Sequence, residues 1–135
     1  MIDGLDDLVR NRLKETKPEI CVTCSKRIGW FHPQNNPFGL QVGHYISRDI
    51  KQLRWHPKNV SPQCSSCNWE HGKNPAPYTL WMIKTYGQKV LDELNEIRKK
   101  AKSEVRPLKA NELYEIYIRQ NGQEGCDQKD NAKQV

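Results

Sequence analysis

With 135 residues, 36% of them hydrophobic, a mean hydropathy of −0.91 and a formal net charge of +6, the chain has material for one small domain and little for a large core. No apolar run approaches the length of a membrane span, and the start, MIDGLDDL, is acidic where a secretory signal is basic and then apolar; a cytoplasmic protein is expected. The positive excess falls between residues 21 and 103 while both ends are slightly acidic, which places any polyanionic partner against the middle of the chain.

Ile2, Leu5, Leu8, Val9 and Leu13 recur close to helical spacing, and Asp3, Asp6 and Asp7 suit the positive end of a helix dipole. A helix over 2–15 is predicted, broken by Lys17-Pro18. Cys21 and Cys24 in CVTC form a knuckle, SKRIGW follows as an outgoing strand or turn, and FHPQNNP at 31–37 is turn-rich. Leu40 to Ile46 alternates as a strand that displays His44, with Gly43 leaving room for a bulge or a close backbone approach. Residues 47–58 read as a polar, basic connection, and Asn59-Val60 as a short second strand leading into Cys64 and Cys67.

A helix should begin near Cys67 or Asn68, interrupted by Gly72, Pro75 and Pro77. A longer helix is predicted from about 77 to 101, with Tyr78, Met82, Tyr86, Val90, Leu94, Ile97 and Ala101 on one face and a bend at Gly87. Leu113, Tyr114, Tyr117 and Ile118 mark a last amphipathic helix within 109–120. Beyond it the chain has almost nothing to bury, so a mobile tail is expected, with Cys126 a lone thiol of no assigned role.

The chemistry lies in the cysteine pairs and what stands between them. CxxC spacing lets two thiolates from one tight turn bind the same tetrahedral zinc, and Cys21/Cys24 with Cys64/Cys67 make one closed site. Ordinary reduced thiols are the plainer alternative, and two independent pairs weigh against it. Closing this site draws Asn59, Asn68 and the His44 strand into one small volume. Four thiolates leave no open position for water, so such a zinc is structural, and any hydrolysis needs a second ion. An isolated strand histidine is usually ordinary; its placement before NxxxxCxxCN makes His44 a candidate general base. The amide oxygen of Asn68 suits a hard cation such as Mg²⁺ or Mn²⁺. Arg48, Lys51, Arg54, Lys58 and Lys73 supply cations for a phosphate backbone, though any one of them could be merely solvated. His32 and His56, beside proline and aromatic neighbours, read as structural or surface groups.

At these residues the chain resembles the HNH (ββα-metal) endonucleases, with His44, Asn59 and Asn68 in the places of that pattern. Within the superfamily, GHYISR, NVSPQCSSCN and the later YxxxxxxxYG are similar to the NinG (Rap) recombination proteins of lambdoid phages. The CN junction also resembles phage resolving enzymes of the endonuclease VII type. The resemblance spans roughly Cys21 to Gly87 and implies an α+β fold, a small zinc-stapled ββα-metal core with flanking N- and C-terminal helices. The division it suggests is an N-terminal helix over 1–20, a zinc-bound nuclease core over 21–75, C-terminal helices over 76–121 and a tail over 122–135. It implies a metal-dependent DNA endonuclease, structure-specific for branched recombination intermediates such as Holliday junctions, in a bacterial host's cytoplasm if phage-encoded, with a homodimer suited to symmetric resolution. Asn59 would support the loop that holds His44. HNH enzymes usually carry a metal-binding aspartate just before the first histidine, and here that place is Gly43. The replacement ligand is open among His71, Glu70, Asp49 and a backbone carbonyl, with His71 preferred because it shares a helix face with Asn68. The alternative function is a non-catalytic zinc-stabilised module that binds nucleic acid.

Overall fold

The computed structural model describes residues 2–104 and 106–122, so the expected tail beyond Gly122, with Cys126, lies outside the described residues. In chain order the elements are helix α1 (Ile2–Thr16), strand β1 (Gln41–His44), helix α2 (Lys51–Arg54), strand β2 (Val60–Gln63), and helices α3 (Ser65–His71), α4 (Ala76–Tyr86), α5 (Gln88–Ser103) and α6 (Ala110–Asn121). The described chain is thus α+β, a small two-stranded sheet among helices.

Leu5, Val9 and Leu13 form the buried stripe of α1 and pack with Trp55, Val60, Leu113 and Tyr117 in a first core. Burying side chains of this size contributes about 1.5–3 kcal/mol each, so α1 is a structural part of the domain, docked against α6. A second core joins Ile46 and Leu53 to Tyr78, Met82, Val90, Leu91 and Leu94 of α4 and α5. The two cores meet at the end of α2, where Leu53 enters the second and Trp55 the first, both fully buried.

β1 and β2 pair antiparallel, Gln41 opposite Gln63 and His44 opposite Val60. Pro62 sits inside β2 at no cost to the ladder. Its carbonyl accepts from Val22 N–H at 3.0 Å on the edge away from β1, and in an extended strand the N–H that proline lacks would point the same way. That bond also docks the first cysteine knuckle beside the strand leading into the second.

Several expectations change in detail, the first strand shortening to Gln41–His44. The single helix over 77–101 is two, because Gly87 has φ of 92°, a left-handed conformation that glycine tolerates and a helix interior does not. The 47–58 connection contains the one-turn helix α2. The second strand runs to Gln63, and α3 starts at Ser65, ahead of the expected position.

Candidate functional site

The four cysteines converge. Their sulfur atoms all lie within 4.8 Å of one another, and the Cys24 and Cys64 Sγ atoms are 3.8 Å apart. Tetrahedral zinc at the usual Zn–S length of about 2.3 Å requires sulfurs roughly 3.8 Å apart, so the donor set fits a structural metal such as zinc. Burial opposes ionisation of Cys21, but N–H groups of Cys24, Cys64 and Thr23 outweigh it and bring the thiol down to about 7. Burial and the neighbouring sulfurs push Cys67 up. Four crowded thiolates repel unless a cation sits between them, and the sulfurs are arranged around such a place.

β1 ends at His44, and Asn59 shapes the loop beyond it. The fully buried Asn59 side chain accepts from Ile46 N–H at 2.8 Å and donates to the carbonyls of Ile46 and Leu53 at 2.9 and 3.0 Å. One amide thereby ties both ends of the excursion between the strands. The carbonyl of Arg54, in the segment so held, lies 3.0 Å from His44 Nε2. A carbonyl only accepts, so Nε2 carries the proton and Nδ1 carries the lone pair. Burial lowers the His44 pKa below the ordinary 6.5; the charges of Arg54 and Arg48 act the same way, against the bond to the Arg54 carbonyl and the charge of Asp6. The imidazole is neutral at neutral pH, the form a general base needs.

His44 lines an open cleft of about 1130 Å³ together with Gln41, Arg48, Arg54, Asn68 and His71. Asn68, on α3, donates to Gln41 Oε1 at 2.8 Å. His71 Nε2 lies 2.7 Å from the Tyr45 carbonyl, which fixes the proton there, and its buried Nδ1 has no hydrogen-bond partner. Among the described residues nothing meets that lone pair. Lys51, Lys58 and Lys73 stand outside the cleft lining, with Lys58 over the Tyr86 ring and Lys73 over the Trp69 ring, 3.6 Å from its centroid. Arg54 lines the cleft, but its guanidinium is engaged by Asp6 at 3.0 and 2.6 Å. Glu70 and Asp49 do not line the cleft. His32 Nδ1 accepts from the backbone of Gln34 and Asn35, and His56 Nδ1 from Lys58, as turn-forming groups do.

Sequence reasoning missed Asp6, Gln41, Arg10 and Lys14, which also line the cleft. Asp6 carried only a helix-dipole signal, and nothing local in sequence marks its pairing with Arg54.

Gly43 has a structural explanation. A Cβ there would fall 2.1 Å from Gln63 Oε1 and 2.7 Å from Gln63 Cγ and Cδ. Gln63 is fully buried and donates to Thr23 Oγ1 at 2.6 Å, so it has nowhere to retreat. An aspartate in that place would collide with it. Gly43→Ala should therefore destabilise the fold by about 1–3 kcal/mol, as overpacking does. Urea unfolding checks this, and adding Gln63→Ala in the same chain should recover part of the loss.

The fold and site together define a small α+β protein with a four-cysteine centre able to hold a metal ion, set beside a histidine-lined cleft. Residues 5–124 match the family model for the bacteriophage lambda NinG protein, and the chain belongs to the NinG family. Over 54 residues, 39% of this chain, it is 35% identical to protein NinG of Escherichia phage lambda. It is equally similar over that length to the NinG proteins of Enterobacteria phage H19B and Escherichia phage 933W. The match covers 26% of the lambda protein and 27% of the other two. No solved structure is a significant match. Among the described residues, no helix is long and apolar enough to cross a membrane.

Proposed function

We propose that the chain is a metal-dependent DNA endonuclease of the HNH (ββα-metal) type, structure-specific for branched recombination intermediates. The observation that carries this reading is the tautomer of His44: Nε2 is committed to the Arg54 carbonyl by a loop that Asn59 ties, leaving a basic Nδ1 on a residue that lines the same cleft as Asn68 and His71. The order β1, β2, α3, with Cys64 and Cys67 at the junction of the last two, supports it. In this reading residues 21–75 carry the core, and the flanking helices brace it.

Phosphodiester hydrolysis needs a water deprotonated near neutral pH and charge neutralised at the phosphate and at the leaving oxygen. Neutral His44 takes the proton of the attacking water. Asn68 and His71 Nδ1 would hold a Mg²⁺ or Mn²⁺ ion, which would supply Lewis acidity at the phosphate. Arg48 grips a flanking phosphate.

One observation favours the second reading, a non-catalytic zinc module that binds nucleic acid. Among the described residues the one carboxylate lining the cleft is Asp6, already paired with the Arg54 charge and hydrogen-bonded by Trp55, so the proposed donors for a catalytic ion are all neutral. Incubating linear, single-stranded and four-way-junction DNA with the protein in Mg²⁺, Mn²⁺ or EDTA separates the readings. Metal-dependent cutting of the junction supports the first, and binding without cutting in any metal supports the second.

Binding should weaken steeply with salt in either case. Arg48→Ala should reduce the slope of log affinity against log salt by about one unit, the signature of one lost phosphate contact. Arg54→Ala should change it less, because Asp6 already engages that guanidinium. Titrations at several salt concentrations read both.

A further inference from the structure

We infer that Asp6 is a positioning residue of the cleft: from helix α1 it holds the Arg54–Trp55 segment so that the Arg54 carbonyl meets His44 Nε2. The inference rests on the nuclease reading for its catalytic consequence and on geometry alone for the positioning.

Both carboxylate oxygens are used. Oδ1 accepts from Arg54 Nε at 3.0 Å and from Trp55 Nε1 at 2.8 Å, and Oδ2 accepts from Arg54 Nη2 at 2.6 Å. The paired donors of a guanidinium on a carboxylate fix orientation as well as distance. The Trp55 ring is fully buried, so its N–H needs an internal acceptor, and Asp6 supplies it. Arg54 is held at its side chain by Asp6, and its carbonyl faces His44 at 3.0 Å. One carboxylate therefore constrains two consecutive residues, and one of them sets which imidazole nitrogen is the base.

Charge argues in the same direction. Asp6 lines a cleft with Arg10, Lys14, Arg48 and Arg54, where a negative group works against a phosphate backbone. A carboxylate serving only to dock α1 would be better placed away from such a cleft. Its three hydrogen bonds also leave it unsuited to bind a metal ion without giving up Arg54 and Trp55.

The test uses the full chain with zinc bound and the Asp6→Asn variant, which keeps the side-chain shape. Cleavage of a labelled four-way junction in Mg²⁺ should fall about 10²-fold in kcat, the scale of a misplaced catalytic group. Affinity for the same junction should hold or tighten, because a negative charge has left the cleft. Nitrogen-15 spectra of the histidines should show His44 passing from the Nε2–H form to a mixture of tautomers. Wild-type kcat with an unchanged tautomer would overturn the inference. So would restoration of activity by raised Mn²⁺, which would make Asp6 a metal ligand. If Asp6→Asn loses its zinc and fold, Asp6→Glu replaces it: the charge stays and the reach changes. The same split between kcat and affinity is then expected at smaller size, and wild-type values for kcat and tautomer would overturn the inference. If wild type cuts no DNA, the nuclease reading fails, and the tautomer measurement alone still decides the role of Asp6.

Discussion

His44→Ala should lose cleavage by about 10² to 10⁴ in rate, the usual contribution of a general base, while its metal content and junction affinity stay near wild type. Among the described residues the imidazole has one hydrogen bond, to the Arg54 carbonyl, so removing it should leave the cysteine centre and Arg48 in place. Asn68→Ala should differ in kind. If Asn68 donates to a catalytic ion, as the nuclease reading has it, its loss should be partly restored by higher Mn²⁺, whereas no metal concentration replaces a base. The wild-type pH profile offers an independent check. In the nuclease reading His44 acts in its neutral form, and its pKa is lowered below 6.5, chiefly by burial, so the acidic limb of kcat/KM should fall below that value. Stability has the matching sign. A histidine whose folded pKa is depressed favours the native state when neutral, and this contribution is intact above the unfolded value and is lost as pH falls from there through the lower folded value. Cleavage by His44→Ala at the wild-type rate would remove His44 from the mechanism.

Cys64→Ser should unfold the domain. Among the described residues the first knuckle reaches β2 by the backbone hydrogen bond from Val22 and the Gln63–Thr23 contact, with Cys21 and Cys64 packed together around Leu40, and the four sulfurs add the metal tie between the knuckles. Structural zinc in small modules provides about 10–16 kcal/mol, at or above the roughly 5–15 kcal/mol stability of a whole domain. Loss of one thiolate should therefore show as loss of stoichiometric zinc by elemental analysis and loss of cooperative melting by circular dichroism. Strong chelation of the wild type should give the same result. A zinc-free protein with a wild-type melt would show that the cysteines pack as ordinary thiols.

Most of the helices were legible because their apolar stripes are long enough to repeat. Leu5, Val9 and Leu13 mark α1, and Leu113 and Tyr117 mark α6. The break at Gly87 was legible as a bend only, since sequence does not reveal the sign of φ. Helix α2 escaped notice because four residues cannot show a period, although Leu53 anchors it completely. In the site, the convergence of the cysteines followed from CxxC spacing, a local signal. The link from Asp6 to Arg54 did not, because two charged residues far apart in sequence carry no mark of their pairing. Gly43 was legible as an exception to a pattern; its cause, the buried Gln63 across the sheet, appears only in three dimensions.

Leu53 and Trp55 leave the chain on either side of Arg54 and enter different cores. The carbonyl that orients His44 is thus a joint between two separately packed bodies, and its position reports on both. A substitution that loosens either one, in α5 as much as in α1, shifts that carbonyl before it melts any helix. Partial opening of this kind requires less free energy than global unfolding. Heat or mild denaturant should then silence the cleft while the far-ultraviolet signal is still native, and core substitutions remote from His44 should lower the temperature at which it falls silent.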